Sequence, residues 1–246
     1  MATTVSNALI DCLPKRLQDS LRMKMEPVSL PSGTSLYRPG EKPKFAHFMT
    51  SGMASVVTAM TDGRTSEVGI WGRESMAESM HLLGPVKVPN SCFMQVAGTA
   101  LRMRFSDVQE EFNTSEPLRN LVLQSIQIQG LTLEQLAACN RLHEAEQRLA
   151  RWLLMVEDRV GESSYSLTQE FLGDMLGARR TTVTLAAGTL QQSGLITYRR
   201  GRIRILDREN LEAAACECYQ AVRKLWRGSC FEKRLEDLAP PNHHES

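Results

Sequence analysis

Apolar positions change their texture several times along the chain. Leu9, Ile10, Leu13, Leu17 and Leu21 recur at helical spacing and predict a short helical lead-in. From residue 26 to 105 the apolar runs are short and rich in β-branched residues, as in Met53-Ala54-Ser55-Val56-Val57 and Glu67-Val68-Gly69-Ile70-Trp71. Turn signals punctuate them at Pro31-Ser32-Gly33, Pro39-Gly40, Ser51-Gly52, Thr61-Asp62-Gly63 and Gly84-Pro85. That alternation predicts an all-β sandwich or barrel, with Thr61-Asp62-Gly63-Arg64 as a hairpin tip because Asp-Gly supplies positive φ. From Pro117 the pattern turns helical. Leu118, Leu121, Val122, Ser125, Ile128, Leu131, Leu136 and Cys139 follow a 3-4 repeat, and Pro117 suits a first helical turn. A continuous helix over 117–141 is about 37 Å long, and a seam of that length favours dimerisation over packing within the monomer. The repeat slips at Asn140-Arg141-Leu142-His143, which marks a hinge. A second helix with Leu149, Trp152, Leu153 and Val156 on one face runs to Gly161.

After a Ser/Tyr/Ser linker, Thr168 is placed to cap a short helix whose buried face is Phe171, Leu172, Met175 and Leu176. Gly177-Ala178 breaks it. A second helix begins near Arg179 or Arg180, with Val183 and Leu190 inward and Gly194 as its stop. Two short helices about a glycine-containing turn predict a helix-turn-helix. Ile196-Thr197-Tyr198 and Ile203-Arg204-Ile205-Leu206 then flank Arg199-Arg200-Gly201-Arg202, a β-hairpin with a basic tip, or wing. Asp207 caps a final helix with its seam at Leu211, Ala215, Tyr219, Val222 and Trp226.

Composition narrows the class without naming a partner. Of 246 residues, 42% are hydrophobic and 23% charged, which excludes a disordered or collagen-like chain. No run of about 18 apolar residues predicts a membrane span. The first residues carry no basic segment followed by an apolar stretch, so a cytoplasmic protein is expected. Six scattered cysteines do not make a disulfide framework. The net charge of +1 conceals an uneven distribution: the window 176–206 holds six arginines and no acidic residue, leaving −5 for the remainder. Arg179, Arg180, Arg199, Arg200, Arg202 and Arg204 offer forked, permanently charged donors suited to phosphates or acidic groups.

These motifs, in this order, resemble the Crp/Fnr-type bacterial transcription regulators over nearly the whole chain. The β-roll spacing is carried by Gly33, Leu36, Gly40, Phe48 and Gly52. The helix-turn-helix signature is carried by Leu167-Thr168-Gln169-Glu170, Leu176-Gly177, Arg180-Thr181-Thr182-Val183 and Leu190 through Gly194-Leu195-Ile196. The resemblance implies an α+β fold: an N-terminal double-stranded β-roll sensor of cyclic-nucleotide-binding type (1–116), a dimerisation helix and hinge (117–143), a winged helix-turn-helix (144–230) and a tail (231–246). It implies a homodimer that binds inverted half-sites on double-stranded DNA and regulates transcription, with RNA polymerase and a small-molecule effector as further candidate partners. By the family pattern Arg180 holds the place of the base-reading arginine, able to bond guanine O6 and N7 together. Thr181 and Thr184 share its exposed side. Thr168, Arg179, Arg199, Arg200 and Arg202 suit phosphate.

The sequence also departs from the family. Members that read the best-known operator carry Glu and Arg where Thr181 and Leu185 stand, so a different operator is expected. In the sensor, Glu78 and Ser91 match ribose- and phosphate-holding positions, but Asn90 replaces the phosphate-binding arginine. Leu133-Glu134 stands where two hydroxyl residues meet the base. Both losses argue against cyclic AMP and leave the effector unidentified, with Glu78, Asn90 and Ser91 as the effector-pocket candidates. Only Cys12 lies where oxygen-sensing relatives cluster cysteines, so no iron–sulfur cluster is expected. Cys12, Cys92, Cys139 and Cys230 read as buried or incidental thiols. Cys216 and Cys218, two apart on the predicted final helix, do not share a face, so no metal site is expected without ligands from elsewhere. His47, His81 and His143 make no ligand-spaced pair, and His243-His244 lie in a polar tail. No catalytic constellation or phosphate-cradling loop stands out, so the chain is not expected to be an enzyme. The alternative reading is a ligand-binding regulatory module whose winged domain engages an acidic protein partner.

Overall fold

The structure, a computed structural model, describes residues 6–167 and 169–236. The lead-in folds as two helices, α1 (Ala8–Asp11) and α2 (Lys15–Arg22), with Asn7 capping α1 through a bond from the Ile10 amide. Seven strands follow: β1 (Glu26–Leu30), β2 (Ser35–Tyr37), β3 (Phe45–Met49), β4 (Met53–Ala59), β5 (Thr65–Trp71), β6 (Ser91–Val96) and β7 (Gly98–Arg104). They form two antiparallel sheets in the orders β1-β7-β3 and β2-β6-β4-β5. The predicted Asp62-Gly63 tip closes the β4–β5 hairpin, with Gly63 at φ +84°. Leu30, Tyr37, Met49, Ala54, Trp71, Met94 and Ala100 fill the roll.

Helix α3 (Phe105–Thr114) leads into α4 (Glu116–Leu142), which carries Pro117 in its first turn. At 1.5 Å per residue its 27 residues span about 40 Å. Most of the seam expected to face a second copy packs within this chain. Leu118, Val122, Ser125, Ile128 and Cys139 are buried within the monomer, the first, second and fourth of them in one core with α1, α3 and Met76. A seam's period fixes which face is apolar, not what covers it. Leu123 and Leu131, each 42% exposed, lie on the open side. His143 and Glu144 are extended, so the chain turns at the predicted hinge before α5 (Ala145–Val160). Glu144 and Gln147 form a reciprocal capping box, and Gly161 ends α5 in the left-handed region.

The C-terminal part packs on the roll. Met53 and Ile70 belong to the same core as Leu149, Trp152, Leu153, Phe171 and Leu172. Trp152 Nε1 donates to Glu67 at 2.7 Å, and Ser55 Oγ donates to its other oxygen at 2.6 Å. Arg159 on α5 and Glu74 after β5 form a buried ion pair at 2.8 Å. Gly72 makes room for it: a Cβ there would stand 2.6 Å from the Glu74 carboxylate and 2.8 Å from Arg159.

Three expectations need correction. The Ser/Tyr/Ser linker is a strand, β8 (Ser164–Ser166), on the edge of a third sheet. The single final helix is two, α8 (Arg208–Ala214) and α9 (Cys218–Trp226), with Ala215 extended between them, and a further helix α10 (Cys230–Glu236) follows. Cys12 and Cys230, read as buried or incidental thiols, are joined by a disulfide that ties the lead-in to α10. No helix among the described residues is long and apolar enough to cross a membrane. His243 and His244 lie outside the described residues.

Candidate nucleic-acid interface

The two helices of the predicted helix-turn-helix are α6 (Gln169–Leu176) and α7 (Arg180–Gln192). Phe171, Leu172, Met175 and Leu176 are buried, as their spacing requires. Gly177 takes φ +57°, a left-handed conformation that ends α6 without a Cβ penalty. Arg148 on α5 donates to the Leu176 carbonyl at 2.9 Å and satisfies that helix end. Val183, Ala186, Ala187 and Leu190 turn α7 inward. That leaves Arg179, Arg180, Thr181 and Thr184 exposed at its N-terminal end. Leu185, 73% exposed, sits one turn further along the outer side. Thr168, the expected cap and phosphate contact, lies outside the described residues.

The wing is built from β9 (Ile196–Arg199) and β10 (Arg202–Ile205), with β8 against β10. Arg199 pairs with Arg202 across a two-residue turn, Arg200-Gly201, whose φ values of 50° and 74° match a tight hairpin of the twist-compatible kind. The turn is anchored from below. The Leu167 amide donates to the Gly201 carbonyl at 2.7 Å, and the Tyr198 hydroxyl donates to the Leu167 carbonyl at 3.1 Å. Gln191 on α7 accepts from the Tyr198 amide at 2.7 Å, fixing the wing against the second helix. Arg199, Arg200, Arg202 and Arg204 are all exposed, and the first three line one shallow depression. Arg202 also donates to Ser164 at 3.1 Å. The six arginines that stood out in the sequence therefore occupy exposed positions on two adjacent elements.

The sensor candidates do not gather in the same way. Glu78 is fully buried, and both its oxygens are engaged by His47: one accepts from the His47 amide at 2.8 Å, the other meets Nδ1 at 2.7 Å. Asn90 donates to Thr58, and Ser91 donates to the Val57 carbonyl at 3.4 Å. Met76 and Met94 are fully buried beside these strands. Burial also shapes two acid–base groups. It pushes Glu67, between β5 and α5, up to about 7 against the opposing donors Ser55 and Trp152. It lowers the pKa of His81, whose ring packs edge-on against Tyr37 at 4.6 Å.

One cluster was missed by the sequence reading. Cys139, His143, Cys216 and Cys218 bring their ligand atoms within 4.8 Å of one another. Cys139 lies in the last turn of α4 and His143 is the residue just beyond its end; their four-residue spacing was the available signal. Cys216 and Cys218 meet them because the chain breaks at Ala215, so the i, i+2 objection drawn from an unbroken helix does not apply. The Cys139 thiol directed at Cys216, aided by the Arg151 guanidinium, favours a thiolate on Cys216.

Comparison with known proteins bears on the whole arrangement. Residues 27–115 match the cyclic nucleotide-binding domain and residues 147–214 the Crp-like helix-turn-helix domain. A CRP-like cAMP-activated global transcriptional regulator of Mycobacterium tuberculosis is 24% identical over 210 residues, covering 80% of this chain and 91% of that protein. Among solved structures, FixK2 of Bradyrhizobium japonicum superposes with a TM-score of 0.65 at 15% identity, covering 78% of this chain and 98% of that one. A CRP-family transcriptional regulator of Thermus thermophilus gives 0.62 at 19% identity, covering 78% and 96%. Roll, long helix and winged helix-turn-helix thus recur together and in order: the chain belongs to the Crp/Fnr family of transcription regulators.

Proposed function

We propose that this protein acts as a homodimeric, sequence-specific DNA-binding regulator, reading inverted half-sites with α7 and clamping the flanking phosphates with the wing. One observation carries the reading: the N-terminal turn of α7 and the wing tip are both exposed and both arginine-bearing, within a stretch that has no acidic residue. In a helix-turn-helix the N-terminal side chains of the second helix reach base edges in the major groove. Arg180 is assigned the guanine contact, and Thr181 and Thr184 the neighbouring base edges. Arg179, Arg199, Arg200 and Arg202 are assigned phosphates, which set register without reading sequence. Thr168, at the start of the first helix, is assigned a phosphate by family pattern alone. Leu185 cannot donate a hydrogen bond, so the operator differs from that of relatives with arginine there.

The second copy is assigned to the open side of α4, where Leu123 and Leu131 are exposed along a helix long enough to pair with itself. The signal enters through the roll and acts on the contact between β5, α5 and α6. The engagement of Glu78 by His47 supports a structural carboxylate at that position and not a ribose contact. Selection of bound duplexes from a random pool tests the reading. Recovery of an inverted repeat with half-sites about one helical turn apart supports it. Retention that depends on salt but enriches no sequence overturns it and favours an acidic protein partner for the winged domain.

A further inference from the structure

The cysteine cluster at the hinge belongs to neither the nucleic-acid interface nor the roll. Cys139, Cys216 and Cys218 are buried and form a small core of their own, separate from the three larger apolar cores. Cys139 Sγ lies 3.5 Å from Cys216 Sγ, and Cys218 Sγ lies 3.6 Å from His143 Nδ1. Tetrahedral bonding with metal–sulfur distances of about 2.3 Å sets sulfurs about 3.8 Å apart, so this spacing fits one ion at the centre of four ligands. It is too tight for a polynuclear cluster, whose ligands spread over several metal atoms.

The surroundings are those of a ligand set. His143 Nε2 meets a Glu217 carboxylate oxygen at 3.0 Å, which directs Nδ1 toward the sulfurs. A carboxylate on the far nitrogen of a ligating imidazole fixes its tautomer and raises its basicity. Gln135 Nε2 donates to Cys218 Sγ at 3.1 Å. Arg151 is buried, and its charge is felt by both Cys139 and Cys216. Three thiolates on a divalent cation leave one net negative charge, and Arg151 supplies the compensating positive one. Its Nε has no hydrogen-bond partner, so Arg151 is held there at a desolvation cost that a charged site would offset.

We propose that Cys139, His143, Cys216 and Cys218 form a mononuclear zinc site that fastens the end of α4 to the α8–α9 corner. Three sulfurs and one imidazole in a closed tetrahedral set select zinc over the hard, oxygen-preferring cations. With no position left open, the site is structural. Its place is what gives it consequence. One ligand lies in the last turn of the long helix, one at the hinge just beyond it, and two at the C-terminal end of the winged segment. The ion therefore holds the DNA-binding part at one angle to α4. The proposal does not depend on the operator reading and stands if that reading fails.

Elemental analysis of the full-length protein, purified without chelator from zinc-supplemented cells, tests it. One zinc per chain is expected, falling to background in Cys216→Ser and in His143→Ala. It is unchanged in Cys92→Ala, which removes a buried thiol outside the cluster. A variant that fails to fold is bypassed with the wild-type chain. Demetallated and reloaded with Co²⁺, it should show tetrahedral d–d bands with thiolate-to-metal charge transfer, and added Zn²⁺ should abolish both. Zinc below about 0.1 per chain with no cobalt spectrum overturns the proposal. So does iron accompanied by acid-labile sulfide, and so does a Cys139–Cys216 disulfide found by mass spectrometry.

Discussion

Replacing Glu67 by glutamine isolates the acid–base chemistry of the contact between the roll and the DNA-binding part. Glu67 sits on β5 with one oxygen taken by Trp152 of α5 and the other by Ser55. Burial raises its pKa from 4.5 to about 7 despite both donors. A carboxyl group that holds its proton more tightly when folded makes the protein less stable as pH rises. The unfolded chain releases the proton near 4.5, and the folded chain must release it near 7. At about 1.4 kcal/mol per pKa unit the full difference is about 3 kcal/mol, and partial solvent access to this half-buried residue reduces it to about 2 kcal/mol. Glutamine keeps the bond from Trp152 and can donate to the Ser55 hydroxyl, so it mimics the protonated acid without titrating. Urea unfolding of both proteins at pH 4.5 and pH 8 is the assay. Glu67→Gln is expected to match the wild type within about 0.5 kcal/mol at the lower pH and to exceed it by about 2 kcal/mol at the higher. An equal offset at both values, or none, refutes the reasoning.

Four further outcomes rest on named residues. Arg159→Met should destabilise the protein by about 3–5 kcal/mol by leaving Glu74 buried without its partner, whereas the double variant with Glu74→Leu recovers most of the loss in thermal unfolding. Thiol titration under denaturing, metal-chelating, non-reducing conditions should count four groups, because Cys12 and Cys230 are joined. Cys12→Ser should lower stability by about 2–4 kcal/mol without reductant and by much less with it. Arg200→Ala on the wing should weaken binding to all duplexes alike and reduce the slope of log affinity against log salt by about 1, as measured by fluorescence anisotropy.

Much of the architecture was legible because single residues carry local conformational demands. Asp62-Gly63 and Arg200-Gly201 mark hairpins because the turn needs positive φ, and both are found there. Pro117 and Gly161 bracket the helical stretch that breaks at His143. Where the sequence misled, the cause was information that periodicity does not hold. The seam from Leu118 to Cys139 announces an apolar face but not whether that face meets a second chain or its own β-roll. The break at Ala215 carries neither glycine nor proline, and the four-residue steps from Leu211 to Trp226 run through it in phase. Two helices therefore read as one, and Cys216 and Cys218 were assigned to separate faces. The Cys12–Cys230 link joins residues 218 apart, a closure that spacing alone cannot reveal. Of the interface, the arginines and threonines of α7 and the wing were readable by charge and motif. The anchoring of the wing by Leu167, Tyr198 and Gln191 was not, since it depends on the folded positions of three separate elements.

The central claim is that Arg180 reads a base from the exposed end of α7. Affinities of the wild type and Arg180→Ala for the selected operator and for a scrambled duplex, taken at one salt concentration, test it most directly. The account predicts a loss of about 1–3 kcal/mol on the operator, little change on the scrambled duplex, and relaxed preference at one base pair per half-site. Undiminished, sequence-specific binding by Arg180→Ala would contradict it.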